Sequence, residues 1–394
     1  MNTSITTDVE THREKHRPGG APARHAERRR ARGRSRAHRW AAALPRLTFW
    51  FILAAVVAAL AGCSRPGGAP GVSVRTSFAL GTLVQIRAYG SQAREAVSDA
   101  FDHIEAVEAL MSANVATSDV AAVNREAGGL PTRVADDTLY VIKKARGYGD
   151  LSRGRFDMAI GPLVRLWGIG TNHARVPSPE EVAAARSLID HRDVEIDETR
   201  GTVRLRKAGM ALDLGAIAKG FAADRAAEAL LQRGVKSAFI DLGGNILVLG
   251  SKPDGSPWRV GIQDPWKERG ATFAVVPVRD MAVVSSGTYE RFFEQAGTRY
   301  HHIIDPDTGY PAETGIVSAT VLARHAVDAD ALSTTVFLLG PSDGMRLVTQ
   351  LPGVEAVIVT HDRQVVASPG LRGVIEVSKG WTIRFYGASN AQES

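Results

Sequence analysis

Residues 73–88 alternate in part between apolar and polar positions, a period that predicts two strand segments broken at Gly81-Thr82. Over residues 92–112 the period changes to 3.6, with Ala96, Ala100, Ile104, Val107 and Met111 on one face. That pattern predicts an amphipathic helix with Ser91 as its N-cap. Residues 136–152 predict a second helix, weakened in its last turns by Gly147 and Gly149. A third, over residues 179–187, has Ser178 as N-cap and Pro179 at the first helical position, where a missing N–H costs nothing. Residues 194–196 and 203–205, joined through Gly201, predict a hairpin. Residues 238–242, 246–249 and 258–262 read as consecutive strands, the first two joined by the turn Gly243-Gly244-Asn245. Residues 326–338 predict a helix and Pro341 starts another, followed by late strands at 354–359, 365–367 and 383–386. Strands broken by helices, without strict βαβ alternation, predict an α+β fold with mostly antiparallel sheets and packed helices.

The ends of the chain differ from this body. Residues 1–46 hold twelve Lys or Arg and four Asp or Glu, about +8, whereas the whole chain is +6, so the remainder carries about −2. The basic character therefore belongs to a leader, and no nucleic-acid partner is inferred from it. An apolar run over residues 47–61 follows, then Gly62 and Cys63. A basic segment, an apolar segment and small residues before a cut describe a secretory signal over residues 1–62. Leu60-Ala61-Gly62-Cys63 is similar to a bacterial lipobox, in which the cysteine becomes the lipid-bearing first residue. The competing reading is an uncleaved membrane helix that happens to end in a cysteine. Residues 63–72, rich in Pro and Gly, read as a tether. The expected product is exported and anchored through Cys63 to the outer face of a bacterial membrane, with its working domain over residues 73–390.

The stretch Ala211-Leu212-Asp213-Leu214-Gly215-Ala216-Ile217-Ala218-Lys219-Gly220 reads as a short strand and a glycine turn that runs into a helix over residues 221–233, stopped by Gly234. Backbone N–H groups at a helix start, with Lys219 beside them, suit an anionic phosphate. Asp330 and Thr334 stand four apart on a predicted helix, so both oxygens share one face. A carboxylate plus a hydroxyl suits Mg²⁺, and equally fits a solvated Asp beside a helix-facing Thr. In His301-His302-Ile303-Ile304-Asp305-Pro306-Asp307-Thr308-Gly309, strong turn chemistry holds a histidine pair, suited to a general base or to structural packing. Asp157 fits either a ribose or base contact or the cap of the following turn. Ser285-Ser286-Gly287-Thr288-Tyr289 reads as a polar turn that binds phosphate or closes a hairpin. With one cysteine, and without GxSxG, HExxH, GxxxxGK[ST] or a post-strand GxGxxG, the chain gives little support to a serine hydrolase, zinc peptidase, P-loop or Rossmann enzyme.

Taken together, Leu80-Gly81-Thr82, residues 152–170, residues 213–220, Gly243-Gly244-Asn245, residues 258–265, Ser286-Gly287 with Tyr289 and Arg291, residues 302–309 and Asp330-Ala331-Leu332-Ser333-Thr334 resemble, in order, the FAD:protein FMN transferase family of ApbE-type lipoproteins. The resemblance spans about residues 73–348. It implies a T-fold-related flavin transferase domain that binds FAD with Mg²⁺ on its diphosphate. Such an enzyme attaches FMN through a phosphoester to a threonine of a partner flavoprotein and releases AMP. By the same resemblance, Asp330, Thr334 and the Ala216 carbonyl would hold the metal. Leu80, Asp157, Met158, Ala159, Asp213, Lys219 and Ile304 would contact FAD, and His302 would be the base, ahead of His301. Three positions depart from the family: Leu80 replaces a common Met, Ala159 a common Thr, and Asn114 a frequent aromatic. An FAD diphosphatase with water as acceptor and a non-catalytic flavin-binding lipoprotein are the alternatives.

Overall fold

The computed structural model describes residues 71–387. The leader, the apolar run and Cys63 lie outside the described residues. A nine-stranded sheet organises the rest: β1 (Val72–Ala79), β2 (Thr82–Tyr89), β3 (Ser237–Leu242), β4 (Asn245–Leu249), β5 (Met281–Gly287), β6 (Ile316–Ala323), β7 (Glu355–Thr360), β8 (Val365–Ala367) and β9 (Ile383–Phe385). Their spatial order is their chain order. Every neighbouring pair is antiparallel except β8 with β9. The α+β expectation with mostly antiparallel sheet is met. Strand β1 starts one residue before the expected boundary at Ser73.

Successive side chains in a strand face opposite ways, and the sheet uses both faces. Leu247, Val284, Val321 and Ile358 join one core with helices α1 (Ala93–Met111), α6 (Ala218–Gln232) and α7 (Ala326–Gln350). Their neighbours Val248, Val283, Leu322 and Val357 join a second core with a three-stranded sheet formed by Trp258–Gln263, Thr272–Val278 and Glu376–Val377. Residues 258–263 thus leave the main sheet instead of extending it.

Between β2 and β3 the chain makes an excursion, residues 90–236. It holds α1, α2 (Asp119–Arg125), α3 (Asp136–Leu151), α4 (Gly161–Trp167), α5 (Pro179–Arg186) and α6, with the hairpin Val194–Asp197 and Thr202–Leu205. The predicted cap of α5 is present as a full capping box, Ser178 with Glu181. The predicted cap of α1 is not: Gln92 occupies the N-cap and its side chain makes no capping bond. Gly149 does not weaken α3 by accident, because a Cβ there would strike the His191 ring at 2.6 Å. Helix α7 is the two predicted helices end to end, broken where Gly340 takes φ 82° before Pro341. The β1–β2 break lies at Leu80-Gly81, both in the left-handed region (φ 53° and 69°), as a two-residue hairpin turn requires. Among the described residues no helix is long and apolar enough to cross a membrane.

Candidate active site

The starts of α6 and α7 are fastened to each other by two carboxylates. Asp224 on α6 accepts the N–H groups of Ala326 (2.8 Å) and Val327 (2.9 Å), capping a helix whose own N-cap, His325, supplies no side-chain bond. Burial pushes Asp224 up to about 6. In return Asp330 on α7 accepts the Gly220 N–H at 2.9 Å. The helices can approach this closely only because residue 220 lacks a side chain: a Cβ would run into the Ala326 carbonyl. Gly220→Ala is therefore expected to destabilise the protein near the upper end of the roughly 1–3 kcal/mol typical of overpacking, since the obstacle is backbone. Urea unfolding of the variant beside the parent chain checks this.

The turn before α6 differs from the expectation. Ala211 forms one isolated bridge, to Ile160, rather than a strand, and α6 begins at Ala218. The anion that meets the helix start is the Asp330 carboxylate itself, and the Ala218 N–H is spent on the Leu214 carbonyl. Lys219 is the cation of the site: Nζ donates to the Gly215 carbonyl (3.0 Å) and stands 3.8 Å from Asp330 Oδ1. Asp213 shapes the turn by accepting the Gly215 N–H at 2.8 Å.

One helical turn beyond Asp330, the Thr334 hydroxyl lies 3.1 Å from Ser286 Oγ. Ser285 and Ser286 are not a turn, as expected from sequence, but the end of strand β5. Asp330 and Thr334, one turn apart on α7, offer a hard-oxygen set with a single carboxylate. Such a set fits Mg²⁺, which takes its remaining ligands from phosphate and water. Among the described residues no group of three or more His, Cys, Asp or Glu side chains is arranged to hold a metal ion, so a zinc-type cluster finds no match there.

The two histidines separate clearly. Buried His301 has both ring nitrogens committed, Nε2 to the Ala312 carbonyl (3.2 Å) and Nδ1 to the Ile303 N–H (3.3 Å). Half-buried His302 places Nδ1 3.3 Å from the Arg291 carbonyl. A carbonyl only accepts, so Nδ1 carries the proton and Nε2 keeps its lone pair. Desolvation, then the charges of Arg291 and Lys219, push His302 down to about 3; desolvation brings His301 down to about 4. The unfolded chain takes protons on both rings below about pH 6.5, while the native state refuses them until far lower pH. Their contribution to stability is thus full above about pH 6.5 and lost as pH falls. Asp224, raised to about 6, acts in the opposite sense, as do Asp241 and Glu290, raised by burial, and His191, raised by its carboxylate neighbours. The histidine share is therefore read by difference: acidification from about pH 7 to about pH 5 should lower the unfolding midpoint of the parent chain relative to that of a His301→Asn variant.

The remaining predicted FAD contacts are positioned mainly through backbone. Asp157 takes the capping role: Oδ1 accepts the Ala159 N–H (2.7 Å) and Oδ2 accepts the His191 N–H (2.8 Å). Met158 and Ala159 are buried, and the Met158 carbonyl accepts the Asp213 N–H, which ties the two segments together. Ile304 is buried with Trp167, Leu163 and Val182. Leu80 packs half-buried on the main core, and Asn114 is exposed. Sequence reasoning missed Asp224 and the special place of Gly220, whose partners lie over a hundred residues away. It also missed Arg155, which binds Asp305, Asp307 and the Leu338 carbonyl and fixes the turn after His302 to α7.

A lysine, a lone carboxylate and a hydroxyl held at a helix start suit phosphoryl-group transfer, where positioning and charge carry most of the catalysis. The ApbE family model matches residues 80–358. The chain is 40% identical over 343 residues to the FAD:protein FMN transferase of Treponema pallidum, covering 82% of this chain and 94% of that one. It is 37% identical over 289 residues to a Klebsiella pneumoniae protein of the same name, covering 73% and 89%. Among solved structures, the ApbE protein of Thermotoga maritima superposes with a TM-score of 0.72 at 33% identity, covering 77% of this chain and 99% of that one. The flavin transferase ApbE of Vibrio cholerae gives 0.70 at 28%, with the same coverage. The chain belongs to the ApbE family.

Proposed function

We propose that this chain is an FAD:protein FMN transferase that uses Mg²⁺, modifies a threonine of a partner flavoprotein and releases AMP. The observation that carries the reading is the junction of Gly220, Lys219 and Asp330, where the contact of Gly220 with Asp330, 110 residues on in sequence, brings a cation and a carboxylate together. Asp330, Thr334 and the Ala216 carbonyl would hold the metal, which when bound supplies positive charge to the diphosphate. Lys219 holds a phosphate oxygen on the same side. Leu80, the Asp157-Met158-Ala159 segment, Asp213 and Ile304 orient the dinucleotide. His302 Nε2 takes the proton of the acceptor threonine as its Oγ bonds to the FMN phosphorus. The bond from that phosphorus to the bridging oxygen breaks, and AMP leaves with that oxygen.

The test is to incubate the chain with FAD, Mg²⁺ and a candidate flavoprotein, then look for flavin fluorescence in a denaturing gel. A fluorescent acceptor band that requires Mg²⁺ supports the reading. Free FMN and AMP without a band would point to a diphosphatase, and intact FAD to a binder. The same reading includes export and a lipid anchor on Cys63. Cys63→Ser is then expected to abolish incorporation of labelled fatty acid into the protein, checked by gel autoradiography of cells grown with labelled palmitate.

A further inference from the structure

The hydroxyl of Thr334 does not stand alone. It lies 3.1 Å from Ser286 Oγ, which lies 2.8 Å from Ser333 Oγ, which donates at 2.8 Å to the Asp330 backbone carbonyl. The direction of this chain follows from its end. A carbonyl has no proton to give, so Ser333 must donate to it and can only accept from Ser286. Ser286, its one proton spent, can only accept from Thr334. The Thr334 proton is thereby turned toward Ser286, and its lone pairs are left for another partner. A neutral hydroxyl that ligates a cation needs this arrangement, lone pair on the metal and proton elsewhere. Ser333 is fully buried, and Ser286 stands on β5, where it pairs with Ala319 of β6.

We propose that Ser286 and Ser333 are positioning residues of the site: a one-way hydroxyl relay that aims the Thr334 oxygen at the bound divalent cation. The inference rests on the reading of Asp330 and Thr334 as metal ligands. Without Ser286, the Thr334 hydroxyl is free to turn back onto the carbonyl of its own helix, as threonines in helices do, and its lone pairs swing off target.

The test uses Mn²⁺ as a spectroscopic stand-in for Mg²⁺, with binding read from loss of the free-ion paramagnetic resonance signal, on the chain with and without FAD. Ser286→Ala and Ser333→Ala should each weaken Mn²⁺ binding about tenfold, the lower end for outer groups that orient metal ligands. The double variant should be scarcely worse than either single one, because a relay in series is broken once. FAD affinity without metal and the unfolding midpoint of the metal-free protein should stay near those of the parent. Unchanged Mn²⁺ binding in both single variants would overturn the relay, as would full additivity in the double. Asp330→Asn serves as the control: if it too binds Mn²⁺ normally, the metal-site reading fails; if it alone loses the ion, only the relay fails.

Discussion

Asp330→Asn is expected to lower the rate of FMN transfer by about 10²–10³, the scale seen when one preorganised electrostatic group is removed from an active site. The substitution is chosen because it keeps the fold. An asparagine oxygen can still accept the Gly220 N–H, so the fastening of α6 to α7 survives. What disappears is the only carboxylate in the proposed metal set and the negative partner of Lys219 at 3.8 Å. Lys219 then loses the charge that opposes it beside a site meant for a cation, and the loss of metal affinity compounds. The measurement is the initial rate of acceptor labelling over a range of Mg²⁺ concentrations. Retention of more than about a tenth of the parent rate would remove Asp330 from the mechanism.

His302→Ala is expected to slow transfer by about 10²–10⁴, the usual range for a positioned general base, while leaving FAD affinity within a few fold. The ring is anchored by Nδ1 at the Arg291 carbonyl and makes no other hydrogen bond among the described residues, so little structure depends on it. Its low pKa means that Nε2 is unprotonated at neutral pH. Acid removes the base, so the rate of the parent enzyme should fall only well below the pH at which an ordinary histidine titrates. Equilibrium FAD binding by flavin fluorescence and single-turnover labelling separate the two effects. Equal loss of both would make His302 a binding residue instead of a base.

Much of the site could be read from sequence where chemistry and spacing are local. Asp330 and Thr334 share a helix face because they are four apart, and Ser178 with Pro179 announces the α5 start. The errors arise where tertiary contact overrides local preference. Residue 220 looked like the end of a turn because glycine is a poor helix former. It lies inside α6 because only glycine permits the approach to Ala326. The Ala211–Leu214 stretch has strand-like residues, yet pairs only once, since the Asn124 side chain on α2 takes both backbone groups of Leu212. Trp258–Gln263 is a strand as expected, but which sheet it joins depends on Thr272–Val278 and not on its own sequence. Asp157 could not be assigned between its two roles without His191, 34 residues on, which occupies one of its oxygens.

The chain order of the sheet also has a bearing on how the active site comes into being. Strands β3 to β9 are joined by connections of 2 to 31 residues, all far shorter than the excursion over residues 90–236, so their pairings carry the lower loop-closure cost. Ser286, His302, Asp330 and Thr334 all travel with that meander, whereas Asp157, Asp213, Ala216 and Lys219 travel with the excursion between β2 and β3. The two groups meet only when the excursion docks, closing a long loop whose entropic cost grows slowly with length. Catalytic competence is thus a late acquisition. Local opening of the excursion would take the active site apart while most of the sheet stays paired, so amide exchange should report two levels of protection, with FAD and Mg²⁺ slowing chiefly the weaker one.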